Sequence, residues 1–173
     1  TTDDTAAIQA AINAASAATS GAVVLPARTS AGARAVYAIA GRIAIPSYVR
    51  VMSETAMVAI NCQNAGAGID IGPDAANTYR AHLDNVEINA NSIADHPLVF
   101  TKVSECYSDT VFVANLTDGG EGVKLDSVLG LTMDKLQISR NSTGPAGIGT
   151  AIRVVGAPAG YVVLRDHNIY NVR

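Results

Sequence analysis

Two families of apolar pairs recur along the second half of this chain at a nearly constant interval. The first is Val86/Ile88, Val111/Val113, Leu136/Ile138 and Val162/Leu164, whose first members stand at positions 86, 111, 136 and 162. The second is Leu98/Phe100, Val123/Leu125 and Ile152/Val154, at positions 98, 123 and 152. The longer second step holds "NSTGPAGIGT" (141–150), whose Gly and Pro residues read as a lengthened loop. The two families interleave, each falling midway between members of the other. "DNVEI" (84–88), "DTVFV" (109–113) and "DKLQI" (134–138) also share a leading aspartate.

A period of about 25 residues admits few folds. A β-sandwich also has short strands at close intervals. It has no reason to return the same apolar face on each pass. A solenoid does, because each coil sets equivalent side chains above those of the coil before. Coils of this length with two or three short strands each describe a parallel β-helix. Composition agrees: 49% of the 173 residues are apolar, with only two Phe and no Trp. The apolar set is mostly Ala, Val and Ile. Small and β-branched side chains suit a narrow interior in which like residues stack every ~4.8 Å.

The beginning of the chain has a different period. Ile8, Ala11, Ile12 and Ala15 form an i, i+3, i+4, i+7 stripe, which predicts a helix over residues 4–19. Asp3 and Asp4 stand at its N-cap, and Gly21 is its expected stop. Short strand-like runs follow: "AVVLPA" (22–27), "VYAIAG" (36–41), "RIAIPS" (42–47), "YVRVMS" (48–53) and "MVAIN" (57–61). The expected organisation is a capping helix at 1–21 and β-helix coils over 22–173. The helix would cover the apolar cross-section and open strand edges of the first coil. Five to six coils are expected, ~25–30 Å of solenoid. The chain reads as stopping mid-fold, with no cap at its far end. It has no initiator Met and no signal peptide, as in a processed chain or a fragment.

Several functions are disfavoured. A net charge of -3 argues against nucleic-acid binding. No apolar run approaches the ~20 residues of a membrane span. Cys62 and Cys106 stand far apart, outside any CxxC motif, and read as small buried hydrophobes.

The run "DDTAAIQAAINAA" (3–15), "AVVLPA" (22–27), "VYAI" (36–39), "IAIPSYVRVMSE" (43–54) and "VEINANS" (86–92) resembles the opening of the pectate-lyase-like superfamily. More narrowly, it is similar to the N-terminal part of the β-helix domain of bacteriophage tailspikes and polysaccharide-degrading enzymes. The sequence departs from that pattern at "PARTSAGARAVY", "VMSE" and "NANS". The resemblance implies a right-handed parallel β-helix that binds and cleaves a polysaccharide or cell-surface glycan, as a lyase or a glycoside hydrolase. It also implies a homotrimer, a virion tail or extracellular location, and calcium as the one cofactor to consider. The alternative it leaves open is a non-enzymatic, receptor-binding or structural virion appendage. In such proteins the catalytic residues commonly lie on later coils or between subunits.

Polygalacturonase-like signatures are absent, so the candidate residues rest on the sequence alone. Asp118, Glu121 and Asp126 cluster in the Gly-rich "TDGGEGVKLDS" (117–127), as a groove-lining acid pair or as a solvated turn. Asp166 belongs to "RDHN" (165–168), beside His167. Asp84, Asp109 and Asp134 recur at the same interval as the apolar pairs and should stack in one column. Such a column either binds calcium or supplies the polar turn residue of each coil. His82 and His96 stand alone next to strand starts, and no role attaches to them. The six Tyr residues are scattered, and "NLT" (115–117) and "NST" (141–143) are glycosylation sequons.

Overall fold

The computed structural model of the chain describes residues 2–18, 21–72, 77–140, 149–156 and 160–170. It opens on helix α1 (Thr5–Ala17) and continues as strands wound into a right-handed parallel β-helix. The first coil carries β1 (Gly21–Val24), β2 (Val36–Ile39) and β3 (Arg42–Ile45). The second carries β4 (Val49–Met52), β5 (Val58–Cys62) and β6 (Gly68–Ile71). The third has β7 (Thr78–Tyr79), β8 (His82–Asn89) and β9 (Leu98–Thr101). The fourth has β10 (Val103–Ser104), β11 (Cys106–Leu116) and β12 (Glu121–Asp126). The fifth has β13 (Gly130–Asp134), β14 (Gln137–Arg140) and β15 (Thr150–Val155), and β16 (Tyr161–Arg165) and β17 (Asn168–Tyr170) follow.

Strands of successive coils pair in parallel and define three faces. The first face is β1-β4-β8-β11-β13-β16, and the third is β15-β12-β9-β6-β3. The second face stacks β2, β5, β14 and β17 on the far halves of β8 and β11. These two long strands pass round the corner that joins the first two faces. The corner residue of each later coil is left-handed: Asn85 (φ 56°), Thr110 (53°), Lys135 (50°) and Asp166 (48°). Asn and Asp accept this conformation readily, whereas β-branched Thr110 does so under strain. Its hydroxyl donates to Asp109 Oδ1 at 2.9 Å, which holds it there.

Inside, like residues stack in rows. Ile43, Ile69, Leu98, Val123 and Ile152 are successive register partners on the third face. The expected register holds with one correction. Leu136 and Ile138 do not stack under Val162 and Leu164. Ile138 pairs with Ile169, while Val162 and Leu164 pair with Leu131 and Met133 on the first face. The fifth coil is longer than the third and fourth, which set the interval, so every later position is shifted along the chain.

Helix α1 lies across the first coil, packed on β1, β3 and β4, with Ile8 and Ile12 buried. Ala11, by contrast, is exposed. The helix also satisfies the open strand edge. Gln9 Nε2 donates to Ala44 O at 3.1 Å, and Ala44 N donates to Gln9 Oε1 at 2.8 Å. Asp4 N donates to Ala38 O (2.7 Å), and Ala38 N returns a bond to Asp4 Oδ2 (2.9 Å). Asp4 therefore holds the N-cap position without capping the helix with its side chain. That task falls to Asp3, whose Oδ1 accepts from Thr5 N at 3.0 Å. Gly21 is a close-packing point: a Cβ there would lie 2.7 Å from that of Ala15. At the other end, Val154, Val162 and Ile169 face solvent.

Cys62 and Cys106 are free and buried. Burial pushes the Cys62 thiol up to about 11. Neither thiol should react with an aromatic disulfide reagent at neutral pH until the fold opens. Both should then titrate together on adding denaturant.

Candidate functional site

The outer side of the first face carries two adjacent rows. One runs Arg50, His82, Tyr107, Thr132 and Val163. The other runs Met52, Asp84, Asp109, Asp134 and Arg165. The three aspartates thus stack in register on consecutive coils, ~4.8 Å apart at the backbone. Strand alternation sets both rows outward while Leu83, Ser108 and Met133 between them point in.

Each aspartate has a partner. Arg50 Nε donates to Asp84 Oδ2 at 2.6 Å. Lys135 Nζ lies 3.4 Å from Asp109 Oδ1. The Tyr107 hydroxyl donates to Asp134 Oδ2 at 2.7 Å, and Arg165 Nη1 stands 3.8 Å from the same oxygen. Asp84 Oδ1 and Asp134 Oδ1 are buried without a hydrogen-bond partner among the described residues. One oxygen of each aspartate is already engaged by a cation or a phenol, and the oxygens left over are too few for the roughly six to eight that calcium takes, so this donor set does not fit calcium. Among the described residues no group of three or more His, Cys, Asp or Glu side chains is placed to hold a metal ion.

The rings of His82 and Tyr107 meet with centroids 5.8 Å apart, tilted by 52°. Burial drives His82 below the ordinary imidazole value, opposed by Asp84 and aided by Arg50. Its ring is therefore neutral at neutral pH. Tyr107 is pushed up to about 12, first by its bond to Asp134, then by burial and the ladder carboxylates. Its phenol therefore keeps its proton. A neutral imidazole and a protonated phenol in contact can accept and donate a proton respectively. Reading the sequence by motif assigns neither residue a role. The signal is nonetheless present, since His82 and Tyr107 stand at the coil interval, each two positions before a ladder aspartate.

The other candidates are dispersed. Glu121 and Asp126 sit at opposite ends of β12, roughly 16 Å apart along an extended strand. That exceeds the separation either hydrolytic geometry uses. Asp126 accepts from the Ser127 hydroxyl at 2.9 Å. Asp118 is exposed in the turn before β12, and Asp166 is exposed at its corner. Asn115, the first sequon residue, bonds Asn89 at 3.0 Å; the sequon at 141–143 lies outside the described residues.

Glu121 has different company. Its side chain is only 6% exposed, and Oε1 pairs with Arg153 Nη1 from the next coil. Its Oε2 lies 3.2 Å from His96 Nδ1, one coil earlier. Arg42 Nη1 donates to the His96 carbonyl at 3.0 Å and pairs with Asp70 through Nη2. These residues all lie on or beside the strands of the third face.

The chain is a right-handed parallel β-helix with a helical cap and a polar ladder along one face. No family model and no curated protein matches it. A solved structure of a candidate glycosyl hydrolase from Parabacteroides merdae ATCC 43184 superposes with a TM-score of 0.59 at 12% identity. The match covers 98% of this chain and 92% of that one, and at this identity it shows the fold alone. The A-module of the Azotobacter vinelandii mannuronan C-5 epimerase AlgE4 aligns over 99% of this chain and 92% of its own, at 15% identity. Its TM-score of 0.37 is too low to argue from.

Proposed function

We propose that this chain is a carbohydrate-active β-helix protein of the pectate-lyase-like kind that cleaves an acidic polysaccharide by elimination on its first face. The observation that carries this reading is the contact between a neutral His82 and a protonated Tyr107, flanked by Arg50 and the aspartate ladder. The description of the Parabacteroides merdae neighbour as a candidate glycosyl hydrolase is in keeping with a carbohydrate substrate.

His82 takes the proton from the sugar carbon next to a uronate carboxylate. Arg50, beside it, offsets the charge that builds on that carboxylate. The electron pair forms a carbon–carbon double bond as the glycosidic carbon–oxygen bond breaks. The departing oxygen takes the Tyr107 proton, downhill because an alkoxide is a stronger base than a phenolate. The imidazolium then returns its proton to the phenolate. Without substrate the phenol proton rests on Asp134, so the hydroxyl turns from Asp134 to the departing oxygen as the glycosidic bond breaks.

A second reading is favoured by the pairing of every ladder aspartate with a cation or phenol. On that reading the ladder is structural, and the β-helix is a trimeric shaft or receptor-binding appendage of a virion tail. Incubation with polyuronates and neutral glycans separates the two. Elimination predicts ultraviolet-absorbing unsaturated ends from polyuronates. Reducing ends without that absorbance would indicate hydrolysis instead, and no product from any polymer would favour the shaft.

A further inference from the structure

The third face has its own outward row, in which Asp70, Val99, Lys124 and Arg153 are successive register partners. Lys124 is half-buried and has no hydrogen-bond or ion-pair partner among the described residues. It lies directly beside Arg153, and like charges so placed repel. Arg153 is drawn away toward Glu121, whose carboxylate is also turned to His96. Burying that carboxylate is poorly explained by stability. Ion pairs removed from water seldom outdo well-packed apolar residues. Its Oε2 has no hydrogen bond of good geometry, and neither does His96 Nδ1. The arrangement ties an imidazole on the third coil and a guanidinium on the fifth to the carboxylate between them. One carboxylate serves both, and Lys124 remains uncompensated.

We infer that the third face binds the anionic groups of an extended acidic polysaccharide through Lys124, Arg153 and His96, with Glu121 as the positioning residue. The groups recognised are uronate carboxylates or sulfate esters, met on coils spaced ~4.8 Å apart. That the polymer is a carbohydrate rests on the function proposed above. The anion binding does not, because it uses a different face from His82.

The test measures binding of the intact chain to polygalacturonate, dextran sulfate and uncharged dextran. Wild type should bind one or both charged polymers and not dextran. Lys124→Ala should weaken that binding about tenfold, as expected for losing one charge-assisted contact. Glu121→Gln gives the sharper result. If charge alone matters, removing a negative group strengthens binding; if Glu121 positions Arg153 and His96, binding weakens. Stronger binding by Glu121→Gln, or unchanged binding by Lys124→Ala, overturns the inference. Should Glu121→Gln fail to fold, Lys124→Ala still decides it. The two charged polymers separate carboxylate from sulfate recognition. Product formation is scored separately, so binding that depends on Lys124 without any cleavage would remove the first-face chemistry and leave this site standing.

Discussion

Ile12→Asp is expected to destabilise the protein by about 5 kcal/mol or more, enough to unfold its first coils at room temperature. Ile12 is fully buried beneath α1. Losing its contacts removes roughly 2–3 kcal/mol of apolar burial. The new carboxylate would stand in the same place without a partner, which adds several kcal/mol. Net stabilities of domains lie at only ~5–15 kcal/mol. The damage should spread, because α1 also fills the strand edge through Gln9 and Asp4. A displaced helix exposes unpaired backbone groups and an apolar cross-section, which favour edge-to-edge association. Ala10, on the exposed side of the same helix, is the control, and Ala10→Asp should change stability by no more than about 0.5 kcal/mol. Thermal melts and light scattering on both variants test this. Equal melting temperatures for Ile12→Asp and wild type would show that the helix does not hold the first coil together.

His82→Gln should lower kcat by roughly a hundredfold to ten-thousandfold, the range a positioned general base contributes. Glutamine preserves length and some hydrogen bonding but cannot accept a proton at neutral pH. His82 is half-buried on an outward row, so the fold should survive the change. KM should move little, because the charged contacts to substrate come from Arg50 and its neighbours. A large rise in KM with kcat preserved would make His82 a binding group instead. Tyr107→Phe is the companion variant. It removes the donor and leaves Asp134 without its 2.7 Å hydrogen bond. The loss in kcat should be of similar size, with a modest loss of stability.

Much of this architecture is legible because a solenoid writes its geometry into one-dimensional spacing. Val86, Val111 and Leu136 follow one another at a fixed interval because the coil between them has constant length. The same regularity exposes the column Asp84, Asp109 and Asp134. Legibility fails where coil length changes. More residues separate the paired strands across the fifth coil than across the fourth, so spacing alone matches Val162 to the wrong row. The site is harder to read for another reason. His82 gains its neutral state from burial and its partner Tyr107 from the next coil, and neither fact is local in sequence. His96 looks solitary in the sequence, although Glu121 stands one coil interval on and directly above it. Counting polar residues, as well as apolar ones, at the repeat interval finds both pairs. The Gly-rich clustering of Asp118, Glu121 and Asp126 misleads in the opposite direction. Nearness in sequence along an extended strand becomes separation in space.

The most direct test is the pH dependence of unsaturated-product formation from a polyuronate, measured for wild type and His82→Gln. Elimination needs His82 unprotonated, so the rate should rise with pH on the acid side. Burial lowers the imidazole from its ordinary value, so the midpoint of that rise should fall below ~6.5. The residual activity of His82→Gln should lack that limb. A wild-type enzyme that forms no unsaturated product, or a variant that keeps the same rate and the same limb, would contradict the assignment of the first face as the catalytic surface.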